Sequence, residues 1–208
     1  MRVAMLTYST RPRGGVAHAL KLAERLRGRG ADVTLFSLAR RDDDVAGSGY
    51  FRPVDVPFEV FRYEWHPDVM VRLERMVQAY VGGLPRDFEI FHAQDCVGGT
   101  ALRGMKEAGT ITSPVFRTVH HIDDFAEPML FEFEKRAVAH ADRRFVVSEY
   151  WRGALEQEYG HDSGVTYNGR DGDCGRGRCR SSRRPSTRRP RSSRASARCS
   201  TCGTPTSR

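Results

Sequence analysis

Residues able to bind anions or exchange protons come in short clusters along the first 169 positions. They are Arg11-Pro12-Arg13-Gly14-Gly15, His92-Ala93-Gln94-Asp95, His120-His121-Ile122-Asp123-Asp124, Ser148-Glu149 and Asn168-Gly169. Gly14 and Gly15 open a helical pattern, so the backbone there can approach a ligand closely and the helix end offers N–H groups to an anion. The same pair also reads as a tight turn needing positive φ. No third glycine follows at dinucleotide spacing, which argues against NAD. His92 is either a site residue or a strand-end histidine hydrogen-bonded to Asp95. Of His120 and His121, only one can face a cleft if the backbone is extended. Ser148 lacks the GxSxG context of a nucleophile and reads better as a helix N-cap. A His/Asp cluster could hold a metal, but neither an HExxH spacing nor a thiolate partner accompanies it. No cofactor is therefore expected.

The elements that must position these residues follow from the apolar pattern. Arg2 to Thr7 is a short apolar run of the kind buried in parallel sheets. Val16, Ala19, Leu20, Ala23 and Leu26 recur at helical spacing, with Gly28 and Gly30 as stop signals, and Val33 to Leu38 is a second strand. Strands are expected again at 54–63 (broken at Pro57), 89–93, 114–119, 144–147 and 165–167. Helices are expected at 68–81, 97–108, 129–141 and 150–159. This alternation predicts an α/β fold with a single Rossmann-like, doubly wound parallel sheet. In such sheets ligands bind beyond the carboxyl ends of the strands, where the clusters fall. Trp65, Trp151, Phe88 and Phe91 read as packing residues, and Cys96 as a small buried hydrophobe.

Composition divides the chain at residue 170. Arg170 to Arg208 contain no Val, Ile, Leu, Met, Phe, Tyr, Trp or Lys. Such a segment buries too little apolar surface to offset its chain entropy, so disorder is expected there. It holds 12 Arg against Asp171 and Asp173, a net of +10; the whole chain is +8, so residues 1–169 carry −2. The folded part thus gives no electrostatic argument for nucleic acid. Its one cysteine, Cys96, fits a reducing cytoplasm. Cys174, Cys179, Cys199 and Cys202 have a superficial zinc-ribbon spacing but no apolar residues to build around a metal. The tail is either a real basic arm for nucleic acid, though without aromatics to stack on bases, or the product of out-of-frame reading of a GC-rich gene. The second reading is preferred. No stretch is long and apolar enough for a membrane span, which leaves only peripheral membrane contact open.

Several segments resemble one family. MRVAMLTYSTRPRGGVAHALKLAERLRGRGADVTLFSL, FHAQDCVGG, FRTVHHIDDF and RRFVVSEYWRGALEQEYGHDSGVTYNGRD are similar, in order and spacing, to the N-terminal domain of retaining family-4 glycosyltransferases with the GT-B fold. The departures are Asp32, Gln94 inside the HxHD-like segment, and Arg170. The resemblance implies a hexosyltransferase-type enzyme that transfers a sugar from a UDP- or GDP-sugar to an acceptor with retention and without a metal. It places Gly14 and Gly15 near the donor diphosphate and His120 at the transferred sugar, as the catalytic position. His92, Asp95, Ser148, Asn168 and Gly169 are expected along the same cleft. On this reading residues 1–169 are the acceptor-side domain and 170–208 a disordered, out-of-frame tail. Such a chain would lack the donor-binding domain and be inactive alone. A nucleic-acid-associated protein and a non-catalytic sugar-nucleotide-binding module are the alternatives.

Overall fold

A computed structural model describes residues 1–11, 13–45, 55–122 and 127–168. They fall within one compact unit, Met1–Arg170; the second unit, Asp171–Arg208, lies outside the described residues, as do Asp123, Asp124, Gly169 and Arg170. The elements in order are β1 (Arg2–Thr7), α1 (Gly14–Arg27), β2 (Asp32–Arg40), β3 (Phe58–Tyr63), α2 (Val69–Gly83) and β4 (Ile90–Ala93). They continue with α3 (Cys96–Glu107), β5 (Val115–Val119), α4 (Pro128–Ala139), β6 (Arg143–Val146), α5 (Glu149–Tyr159) and β7 (Gly164–Val165).

The strands form a sheet of order β3-β2-β1-β4-β5-β6-β7, and every pairing is parallel. The order runs outward from β1 in both directions. The chain therefore reverses its direction of winding between β1 and β4, the switch point at which open α/β sheets form a ligand crevice between the parting loops. Alternation along β1 shows both faces covered. Val3 and Met5 pack with Ala19 and Ala23 of α1, whereas Ala4 and Leu6 join Met76 and Tyr80 of α2 and Val97, Ala101 and Leu102 of α3. A strand buried on both faces is apolar at consecutive positions, as Val3 to Leu6 are. A third cluster joins Val119, Val138, Val146, Leu155 and Tyr159.

Local chemistry sets the element ends. Asp68 Oδ1 accepts the Met70 and Val71 N–H groups at 2.9 and 3.0 Å to start α2, and Ser148 caps α5 by accepting the Trp151 N–H. Pro128 starts α4 because its ring fixes φ and the missing N–H has no partner at that position. The third strand begins at Phe58, after Pro57. The last strand is Gly164–Val165 rather than 165–167, so Tyr167 and Asn168 run beyond it over the rim of the sheet. Phe88 and Phe91 lie in the core as packing residues, while Trp65 stays substantially exposed beside Arg40 and Arg72.

Candidate functional site

The crevice between β1 and β4 is built by two loop–helix junctions tied to one another. Asp95, the N-cap of α3, accepts the Gly98 N–H at 2.8 Å through Oδ1 and the Tyr8 N–H at 2.6 Å through Oδ2. One carboxylate thus starts a helix and fixes the backbone leaving β1. Burial pushes its carboxyl up to about 6, against the two N–H bonds and the nearby Arg117. Below it, the buried Tyr80 hydroxyl donates to the Thr7 carbonyl at 2.6 Å and braces the end of β1. The loop then passes Arg13, whose guanidinium donates to the Tyr8 hydroxyl at 2.9 Å, and enters α1 at Gly14.

Gly14 and Gly15 are helical residues. Among the described residues the positive-φ glycines are Gly30, Gly109 and Gly160, so the tight-turn reading of the pair is corrected. The pair is not equivalent either. A Cβ on Gly14 would meet nothing within 4 Å, whereas one on Gly15 would lie 3.1 Å from Cδ2 and 3.4 Å from Nε2 of His120. Gly15 is therefore small because the His120 ring lies against it. The N-cap residue of α1, Arg13, makes no side-chain cap hydrogen bond, so it leaves the first-turn N–H groups of the helix to other acceptors.

His120, just past β5, is half-buried, and its Nε2 lies 3.0 Å from Gln94 Oε1. An amide oxygen only accepts, so Nε2 carries the proton and Nδ1 the lone pair. The edge of the His18 ring meets it at 5.0 Å between centroids. His18 Nδ1 in turn lies 2.8 Å from Oδ1 of Asn168, linking α1 to the segment after β7. Burial pushes His120 down to about 3, helped by His18 and Arg117, and burial also lowers His18. Both rings are neutral at physiological pH. Two atoms in this group, His18 Nε2 and Gln94 Nε2, are buried without a hydrogen-bond partner. Each such atom costs about 1–3 kcal/mol unless a ligand or solvent completes it.

Of the expected positions, Gly15, His120 and Asn168 are brought together through His18, with Gly14 next to Gly15 in the chain and Asp95 tying the adjoining loop. His92 is not among them. It is 6% exposed, it packs against Phe116 and Phe145, and its Nε2 meets Thr118 Oγ1 at 2.8 Å. The alternative bond to Asp95 is not made either: His92 meets Thr118 instead, and Asp95 accepts two backbone N–H groups. Burial pushes His92 down to about 3. Ser148 is an N-cap, and Gly169 lies outside the described residues. His121 is exposed next to its half-buried neighbour, as alternation requires. Sequence reasoning passed over His18 as a site residue, though it stands one helical turn after Gly14 and Gly15 on the same face. It also passed over the buried Arg117–Glu134 pair, at 2.8 Å, that pins β5 to α4.

Chemically, the group offers neutral donors and acceptors beside an uncapped helix start. Among the described residues no three His, Cys, Asp or Glu side chains are grouped to hold a metal, and no helix is long and apolar enough to cross a membrane.

The fold is that of the N-terminal half of GT-B glycosyltransferases. Anabaena Alr3699/HepE, solved with UDP and glucose and also with UDP-glucose, superposes with a TM-score of 0.59 at 18% identity, over 82% of this chain. Sucrose-phosphate synthase from Thermosynechococcus elongatus gives 0.56 at 15% identity, covering 83% of this chain and 91% of that one. Arabidopsis thaliana UGT89C1 complexed with UDP gives 0.51 at 12% identity over 81% of this chain. The chain spans 45% of the length of the Anabaena structure and 48% of the Arabidopsis one. No curated protein matches it. The model of Glycosyltransferase Family 4 matches residues 12–173, more than half of the chain, and the chain belongs to that family.

Proposed function

We propose that residues 1–169 form the acceptor-side lobe of an enzyme that transfers a hexose from a UDP- or GDP-sugar to an acceptor with retention of configuration. The observation that carries this reading is the packing of the His120 ring on Gly15 at the point where the winding of the sheet reverses. In open α/β sheets that point is where ligands bind. The uncapped start of α1 suits the donor diphosphate, because backbone N–H groups and the positive helix end stabilise an anion without a metal. His120, neutral and fixed by Gln94, suits a hydroxyl of the transferred sugar, and Asn168 belongs to the strand of chain that borders the same cleft. Family membership and the UDP and UDP-glucose complexes of the Anabaena protein support a nucleotide sugar as the ligand.

A second lobe holding most of the donor contacts completes the catalyst on this reading, and the 208 residues alone turn over little. Residues 170–208 are proposed to be an out-of-frame tail. Titration calorimetry of the chain with UDP-glucose and GDP-mannose tests the binding half of this reading: weak binding that His120→Ala reduces about tenfold is expected, and no heat with either sugar nucleotide contradicts it. Rapid release of nucleoside diphosphate by the 208 residues would overturn the need for a second lobe.

A further inference from the structure

Two unpartnered atoms beside His120 point to residues that the family resemblance does not assign. Gln94 is 4% exposed, and its Oε1 is committed to the His120 Nε2–H, which leaves its Nε2 hydrogens without an acceptor. His18 donates through Nδ1 to Asn168 Oδ1, so its buried Nε2 carries an unshared lone pair. One residue thus presents only donors and the other only an acceptor, and both touch the same imidazole. A hydroxyl group complements this combination, because it donates and accepts at once. A phosphate oxygen does not, since at neutral pH it would set an anion against the His18 lone pair.

We infer that His18 and Gln94 form, beside His120, a subsite that reads the hydroxyls of an uncharged sugar ring: a hydroxyl donates to His18 Nε2 and one accepts from Gln94 Nε2. The lowered proton affinity of the half-buried His18 keeps that lone pair available at neutral pH. Gln94 suits the task because an amide supplies both the lock on His120 and a second, unpartnered donor. A carboxylate would supply acceptors only, and a methionine neither. The inference rests on the sugar-transfer reading above and assigns two specificity-determining residues to it.

The test follows the imidazole nitrogens and the glutamine side-chain amide of the 208-residue chain by NMR. The additions are methyl α-glucoside, UDP, UDP-glucose and inorganic phosphate, each taken separately. Shifts at His18 Nε2 and the Gln94 amide with UDP-glucose but not with UDP support the subsite and assign its ring to the donor. The same shifts with methyl α-glucoside support it for a free acceptor ring. His18→Ala and the near-isosteric Gln94→Met should each weaken the effective sugar about tenfold. Retained dispersion of the Thr118 and His92 signals shows that the variants still fold. Phosphate moving the same atoms overturns the proposal in favour of an anion site. If UDP-glucose perturbs Gly15 and His120 but leaves His18 and Gln94 still, this inference fails while the proposed function stands. No response to any addition overturns both.

Discussion

Burial holds the His92 and His120 imidazoles neutral down to about 3, whereas in the unfolded chain they take up protons near pH 6.5. Protons are therefore bound on unfolding between those values, and stability falls as pH drops below 6.5, by about 1.4 kcal/mol per pH unit for each histidine. Asp95 acts in the opposite sense, since its raised carboxyl protonates in the folded chain first, from about 6 downward. Chemical unfolding of His92→Gln between pH 6 and pH 4 should show a decline shallower than the parent's by about 1.4 kcal/mol per unit; equal slopes would mean that His92 is not buried neutral. The glycines give a second contrast at this scale. Gly14→Ala meets nothing and should stabilise by up to about 1 kcal/mol through helix propensity. Gly15→Ala presses on His120, and about 1–3 kcal/mol of overpacking should cancel that gain and displace the ring from Gln94. Thermal unfolding of the two variants decides it, and equal midpoints would contradict the contact. The pair was legible in the sequence as a helix opening. Its asymmetry was not, because it depends on a ring 105 positions away.

At the scale of elements, side chains that join two segments carry the site. Asp95→Asn keeps an oxygen for the Gly98 N–H but offers no second acceptor to the Tyr8 N–H. It should cost about 1–3 kcal/mol, and Asp95→Ala, which also removes the helix cap, should cost more. Urea titration orders the two variants, and the reverse order would show that Asp95 does not tie the β1 loop. Arg117 and Glu134, 4% and 8% exposed, form a buried ion pair between β5 and α4. Removing one partner strands a charge, so Glu134→Gln should cost about 3–5 kcal/mol and be largely relieved by adding Arg117→Met. Equal stability of the single and double variants would contradict this. The elements themselves were legible to within a few residues, because buried parallel strands are continuous apolar runs and helices show a 3.6-residue period. The ends were less so, since single residues set them: Pro57 and Pro128 by their fixed φ and missing N–H, and the capping Asp68 and Asp95 by accepting backbone N–H groups. His92 misled for a related reason: a histidine at a strand end can turn inward to a threonine on the next strand as easily as outward to a ligand.

For the molecule as a whole, sheet order decides where chemistry can happen. The order β3-β2-β1-β4-β5-β6-β7 brings clusters separated by up to about 150 residues to one rim, where the start of α1, Gly15 and the imidazoles of His18 and His120 meet. The clusters were visible in the sequence and their common rim followed from the alternation of strands and helices. The long-range pairings of His18 with Asn168 and of His120 with Gln94 were not, because no local pattern encodes them. The account predicts that a nucleotide sugar engages this rim and no other surface. Hydrogen exchange with and without millimolar UDP-glucose measures that directly, amide by amide. Slowed exchange confined to the Tyr8–Ala19 segment, the start of α3 and the residues following β5 is the predicted result. Protection appearing instead at the groove lined by Met70, Phe133 and Arg136, or nowhere, would contradict it.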